Sequence, residues 1–186
     1  MNRTMFPHVL RCARWLGAAL FAVAVMPVAQ AHAQCELRLA PERLDYGQST
    51  RGALLETRSG NGEVQLGKRS STLHVHCPRP MPVALSFVAA AADADRYRFG
   101  GGSLGLRVTA VQVDGAPAQL ARQGGDPAAA ELALRPGDKA VPMLGGQPAS
   151  GRDFHIEFET DARLPSDATR VAQPTDFETN GRFQVE

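Results

Sequence analysis

The stretch that decides the fold is Ser71-Thr72-Leu73-His74-Val75-His76-Cys77-Pro78. Its apolar and polar side chains alternate strictly, and this two-residue period is typical of a β-strand with one buried face. The inward set is Leu73, Val75 and Cys77, and the outward set is Thr72, His74 and His76. Pro78 has no N–H to donate, so we expect it to end the hydrogen-bonded ladder. The pattern predicts a central strand of an all-β domain, tied through Cys77 to a strand that begins at Cys35.

Residues 1–33 have the composition of a secretory signal peptide. Three arginines and no acidic residue precede an apolar run that ends near Val28, and Ala31-His32-Ala33 supplies a small-x-small cleavage site. The alternative is a membrane anchor, which we disfavour because the run is short and leads directly into the cleavage site. We expect export to the periplasm or the cell surface, with no membrane anchor after signal removal.

Residues 34–186 remain, and this length predicts a single domain with enough chain for a core. Residues 1–33 contain three of the twenty basic residues and none of the nineteen acidic ones, so the remainder carries a net charge of −2. A mildly acidic chain without a basic run argues against a nucleic-acid partner.

Two cysteines, Cys35 and Cys77, remain after signal removal. In an oxidising compartment such a pair predicts a disulfide. The rival interpretation is two free thiols or metal ligands, which is weaker because neither cysteine has a second cysteine nearby.

Short alternating stretches recur along the chain, and no amphipathic helix is predicted after residue 33. The clearest are Cys35–Leu39, Val83–Phe87, Leu104–Val113, Phe154–Phe158 and Gly181–Glu186. Ala53-Leu54-Leu55 is interpreted as a strand or an edge. Gly100-Gly101-Gly102 precedes a strand and not a helix, so it predicts a hairpin or bulge and not a phosphate loop. With Asp114-Gly115 as a hairpin turn, these features predict an immunoglobulin-like β-sandwich.

The sequence shows no enzyme site and implies no cofactor. No serine lies in a Gly-x-Ser-x-Gly elbow, and the carboxylates of Glu157 and Glu159 are expected on an outer strand face. His74 and His76 share a strand face and are weak metal-ligand candidates, for which His155 would have to lie on an adjacent strand. A solvated outer face is the simpler interpretation.

Taken in order, several motifs resemble those of exported fimbrial subunits of the chaperone–usher pathway. The resemblance is closest to fimbrial-like periplasmic proteins of unassigned function. The motifs that carry this resemblance are Cys35 with Leu44-Asp45-Tyr46-Gly47, Leu73-x-Val75-x-Cys77, Pro82 to Phe87, Tyr97 to Gly100, Leu104-x-Leu106, Val113-Asp114-Gly115 and Gly151-x-x-Phe154. No single motif is specific, whereas their order and spacing cover nearly all of residues 34–186.

The resemblance implies a pilin-like sandwich that lacks its final strand and accepts one from a partner. The implied partners are a periplasmic chaperone, an outer-membrane usher and other fimbrial subunits. The partner strand would pair with the segment Gly181–Glu186, with Gly181, Phe183 and Val185 at the edge and the latter two side chains pointing inward.

Two departures from the family pattern shape the functional hypotheses. Cys35 follows the expected cleavage site by one residue, so we expect no donor segment, and the last residues Gln184-Val185-Glu186 lack the usual aromatic. The first hypothesis is a non-enzymatic structural or adhesive subunit that accepts a complementing strand. The alternative is a free-standing periplasmic binding module, for a sugar or a metal, that does not polymerise.

Overall fold

The computed structural model describes residues 34–125 and 127–186, and the predicted signal peptide lies outside them. The described residues confirm the all-β prediction with one disulfide, from Cys35 to Cys77. The elements in chain order are β1 (Glu36–Ala40), α1 (Arg51–Glu56), β2 (Glu63–Pro82), β3 (Leu85–Val88), β4 (Tyr97–Phe99), β5 (Gly102–Val113), β6 (Ala116–Arg122), β7 (Leu132–Ala133), β8 (Ala140–Leu144), β9 (Gln147–Pro148), β10 (Ser150–Pro165) and β11 (Arg182–Val185).

The first layer of the sandwich is the antiparallel order β1-β2-β10-β5, with β4 and β7 paired to β5. The second layer is β6-β8-β3-β11, with β9 beside β8. Strand β6 joins the layers, because Ala116 pairs with Val113 of β5 whereas Arg122 pairs with Ala140 of β8. The layers are therefore connected along one side, and β1 and β11 end the strand order on the other.

The core lies between the layers and follows the predicted alternation. Leu73 and Val75 of β2 pair with Ile156 and Phe154 of β10, and all four side chains are almost fully buried. Leu85 and Leu120 contribute from the second layer. Because side chains alternate along a strand, the inward position of these residues places His74, His76 and His155 on the opposite, outer face of the first layer.

Two glycine-containing turns behave as the sequence predicts. Asp114 and Gly115 both have positive φ, at 50° and 81°, as a tight two-residue hairpin loop requires, and they connect β5 to β6. The triple glycine lies in the β4–β5 hairpin. A Cβ at Gly102 would lie about 2.0 Å from the backbone oxygen of Arg163, so only glycine permits this approach to β10.

Pro78 does not end β2, contrary to the prediction. The strand continues to Pro82, where Ser150 of β10 pairs with it. A register shift between Gly151 and Asp153 leaves Pro78 without a partner in β10. The missing N–H is thus tolerated because the ladder is already interrupted there.

The stretch Ala53-Leu54-Leu55 is helical and is not the predicted strand or edge. It lies in α1, whose first turn is capped by the Thr50 hydroxyl, which accepts a hydrogen bond from the Ala53 N–H at 3.3 Å. Leu54 and Leu55 are half-buried against the core. Adjacent apolar residues of this kind suit one side of a short helix better than a strand that exposes alternate residues.

The disulfide joins β1 to β2 across 42 positions of sequence. In the chain-entropy account, closing a loop of this size stabilises the fold by about 4 kcal/mol. We therefore expect the double variant Cys35→Ala/Cys77→Ala to lose about 2–4 kcal/mol of unfolding free energy, measured by urea denaturation followed by circular dichroism. In reducing buffer, the variant and the wild type should unfold at the same urea concentration. An unchanged unfolding midpoint of the variant in non-reducing buffer would contradict this account.

Candidate functional site

The candidate site is the side of the sandwich where β1 and β11 end the strand order. Among the described residues, β1 pairs only with β2, and β11 pairs only with β3. Each strand therefore has one free edge, and an edge strand presents unpaired N–H and C=O groups. We call the region between these two free edges the open seam, defined by Leu37 and Leu39 of β1 and by Phe183 and Val185 of β11.

The register of β11 fixes which of its backbone groups face the seam. Glu186 and Ala84 exchange both of their hydrogen bonds, at 2.9 and 3.1 Å. In an antiparallel pair, hydrogen-bonded and non-hydrogen-bonded positions alternate, so Gln184 and Arg182 also bond to β3. The N–H and C=O groups of Phe183 and Val185 consequently point away from β3, toward the seam.

The same alternation orients the backbone of β1. Cys35 and Cys77 are opposite each other with their Cα atoms 4.2 Å apart, a separation typical of a non-hydrogen-bonded pair. Two and four residues on, Leu37 and Leu39 occupy equivalent positions opposite Val75 and Leu73. Their N–H and C=O groups therefore point away from β2. Both edges present polar backbone groups from residues whose side chains face the core.

Side-chain burial decreases toward the seam. Leu73 and Val75 in β2 are 1% exposed, whereas Leu37 and Leu39, their partners in β1, are only half-buried. Phe183 and Val185 are likewise half-buried against the core. The apolar interior is thus incompletely covered where the two layers are not joined by a strand.

Aromatic contacts attach β11 to both layers. The ring of Phe183 lies 4.9 Å from that of Phe87 in β3 and 5.0 Å from that of Phe158 in β10. Phe87 also meets the buried ring of Tyr97 edge-on at 5.0 Å. Burial raises the pKa of the Tyr97 hydroxyl, which donates a hydrogen bond to the Phe87 carbonyl at 3.4 Å. Tyr97 is therefore a neutral core residue that positions Phe87.

The three residues predicted for the partner edge occupy different environments. Gly181 precedes β11, is exposed and lies against the ring of Phe87, while Phe183 and Val185 lie in β11 with inward side chains. The partner edge predicted from the sequence did not include β1. The signal was present, since Leu37 and Leu39 continue the inward alternation that begins at Cys35.

The histidines lie on the outer face of the first layer, away from the seam. His74 and His76 share this face, as predicted, and His155 of β10 is directly opposite His74. The Nδ1 atoms of His74 and His155 are 3.3 Å apart, whereas His76 Nδ1 lies 2.6 Å from Asp153 Oδ1. The structure therefore brings His74 together with His155 and gives His76 a separate partner.

Within the described ranges, no group of three His, Cys, Asp or Glu side chains is arranged to hold a metal ion. Residues 34–125 and 127–186 also contain no helix with the length and apolar character needed to cross a bilayer.

Comparison with known proteins gives matches at the level of structure. No protein-family model matches the chain. No curated protein sequence matches it either. One similar solved structure is the crystal structure of the P pilus rod subunit PapA, with 13% sequence identity, a TM-score of 0.42, and coverage of 83% of this chain and 99% of that one. A second is the structure of a chaperone-usher pilus, with the same identity and TM-score and 99% of both chains covered. The sequence identity and the TM-scores are too low for the function of these proteins to be assigned to this chain.

The position of Gly181 generates a prediction about β11. A Cβ at this position would lie about 2.1 Å from Phe87 Cζ, and that ring is held between Tyr97 and Phe183. We expect Gly181→Ala to cost about 1–3 kcal/mol of unfolding free energy through overpacking. Amide exchange should also accelerate at Arg182 and Gln184. The matched control is Gly60→Ala, because a Cβ there meets nothing within 4 Å. Equal stability of the two variants would contradict the packing described.

Proposed function

We propose that this chain is a non-enzymatic exported fimbrial-like subunit that accepts a complementing β-strand in the open seam. The observation that supports the proposal is the coincidence, on both edges, of seam-facing backbone groups and half-buried apolar side chains. Addition of a strand would pair those backbone groups and cover those side chains at the same time. The existing surface is therefore better suited to an extended peptide segment than to a small molecule.

The geometry specifies what such a strand must contain. Its residues would alternate, with every second side chain directed into the core between Leu37 and Leu39 on one side and Phe183 and Val185 on the other. Each apolar side chain buried in this way contributes about 1.5–3 kcal/mol before the cost of ordering the segment. Its backbone would bond to the outward groups of β1, β11 or both.

The partners follow from the resemblance of the sequence motifs to chaperone–usher subunits. We propose that residues 1–33 direct export and that residues 34–186 form one pilin-like domain. A periplasmic chaperone would supply the first strand, and a neighbouring subunit would replace it after passage through an outer-membrane usher. The assembled location would be a cell-surface fimbria, in a structural or adhesive role.

A covalently attached strand tests the proposal without knowledge of the natural partner. We expect that an alternating Val/Thr segment, joined to Glu186 through a flexible linker, raises the free energy of unfolding by about 2 kcal/mol or more. The amides of Phe183 and Val185 should become protected from hydrogen exchange. The measurements are urea denaturation and exchange monitored by nuclear magnetic resonance.

Two controls make this experiment specific. A segment of the same composition in non-alternating order should give no gain, because its apolar side chains cannot all face the core. Phe183→Asp should abolish the gain, whereas Gln184→Asp should preserve it, since Gln184 bonds to β3 and its side chain is directed away from the core. Continued rapid exchange at Phe183 and Val185 with the alternating segment attached would refute the proposal.

A further inference from the structure

The outer face of the first layer carries a cluster of ionisable side chains that the open seam does not use. The cluster comprises His74 and His76 of β2 together with Asp153, His155 and Glu157 of β10. All of them except Glu157 line a shallow surface depression on the β2–β10 pairing, next to the register shift that follows Gly151. They lie on the side of the layer opposite the core, so their function is separate from strand acceptance.

Two imidazoles in this cluster are directly opposite each other. His155 pairs with His74 across the antiparallel ladder, their ring centroids lie 4.5 Å apart, and the rings are inclined by 78°. The closest atoms are the two Nδ1 nitrogens, at 3.3 Å. Two imidazole nitrogens on rigid neighbouring strands are thus held within hydrogen-bonding distance of each other.

This separation matches the spacing of two ligands on one metal ion. Two bonds of about 2.0–2.1 Å, at the angle of a tetrahedron, place their nitrogen atoms about 3.3–3.4 Å apart. The two Nδ1 atoms therefore have the spacing of tetrahedral coordination without any movement of the strands. Imidazole nitrogen is the ligand that Zn²⁺ and Cu²⁺ prefer among the side chains of this cluster.

A carboxylate lies on the same face, beyond hydrogen-bonding distance of the other ring nitrogen of His155. Glu157 Oε1 lies 3.8 Å from Nε2 of His155. The atom of His155 that faces His74 is therefore Nδ1, whereas Nε2 is directed toward the carboxylate.

We propose that His74 and His155 bind a divalent late first-row transition ion, Zn²⁺ or Cu²⁺, through their Nδ1 atoms. His76 is not part of this pair, because it lies two residues further along β2, where its Nδ1 contacts Asp153 and not an imidazole. The protein supplies two ligands, and water completes the coordination shell on this half-exposed face. The site is consequently open and of moderate affinity.

The test is calorimetric titration of ZnCl₂ into the exported chain, purified without an affinity tag. Wild-type protein should bind one equivalent of Zn²⁺. His74→Ala and His155→Ala should each weaken binding at least tenfold, because each removes one of the two protein ligands. Imidazole nitrogen chemical shifts should show that Nδ1, and not Nε2, of His74 and His155 responds to the metal.

The matched control is His76→Ala, which removes an exposed histidine from the same face and should leave Zn²⁺ affinity within twofold of wild type. Circular dichroism of each variant checks that the fold is retained. Absence of binding to the wild type at millimolar Zn²⁺ would overturn the proposal. So would an equal loss of affinity in His74→Ala and His76→Ala, which would place the ion between those two residues instead.

Discussion

The long antiparallel pairing of β2 with β10 is the interaction on which the rest of the structure depends. Its register places Leu73 against Ile156 inside the sandwich and His74 against His155 outside it. A shift of one residue would exchange the two faces, burying imidazoles and exposing the core. Burial of the apolar face therefore fixes the position of every polar group on the outer face, including those with no packing role of their own.

The two free edges leave the core of the folded chain incompletely covered, and charged side chains lie beside both of them. Exposed edges promote aggregation, and proteins commonly protect them with charged side chains. Here the outward residues of β1 include Glu36 and Arg38, which form an ion pair at 2.7 Å. Arg182 supplies a charge on the edge of β11. These side chains flank the seam without filling it, because alternation directs them away from the core.

The sequence was sufficient to predict the architecture, since the inward residues of β2, β5 and β10 alternate and the two cysteines belong to neighbouring strands. The extension of β2 beyond Pro78 was not predictable, because the irregularity that accommodates the proline lies in the pairing of β2 with β10, a strand distant in sequence. The β1 side of the seam was missed for a related reason. The inward alternation of Leu37 and Leu39 indicates a buried face but not which strand, if any, lies beyond it. Likewise, prediction of the pairing of His155 with His74 would have required the register between two strands about eighty residues apart in sequence.

The two sides of the seam differ in how firmly they are held, and this difference has a functional consequence. A strand with a single neighbour and half-buried side chains tends to open locally. In β1 the Cys35–Cys77 disulfide prevents separation from β2 at the start of the strand. In β11 the attachment consists of four residue pairs with β3 and the aromatic contacts of Phe183. The β1 edge is therefore the fixed side, and the β11 edge is the adjustable one. Strands with different inward side chains would be accommodated mainly by movement of β11. The histidine pair lies on β2 and β10, next to the fixed side, and its geometry would be preserved through such movement.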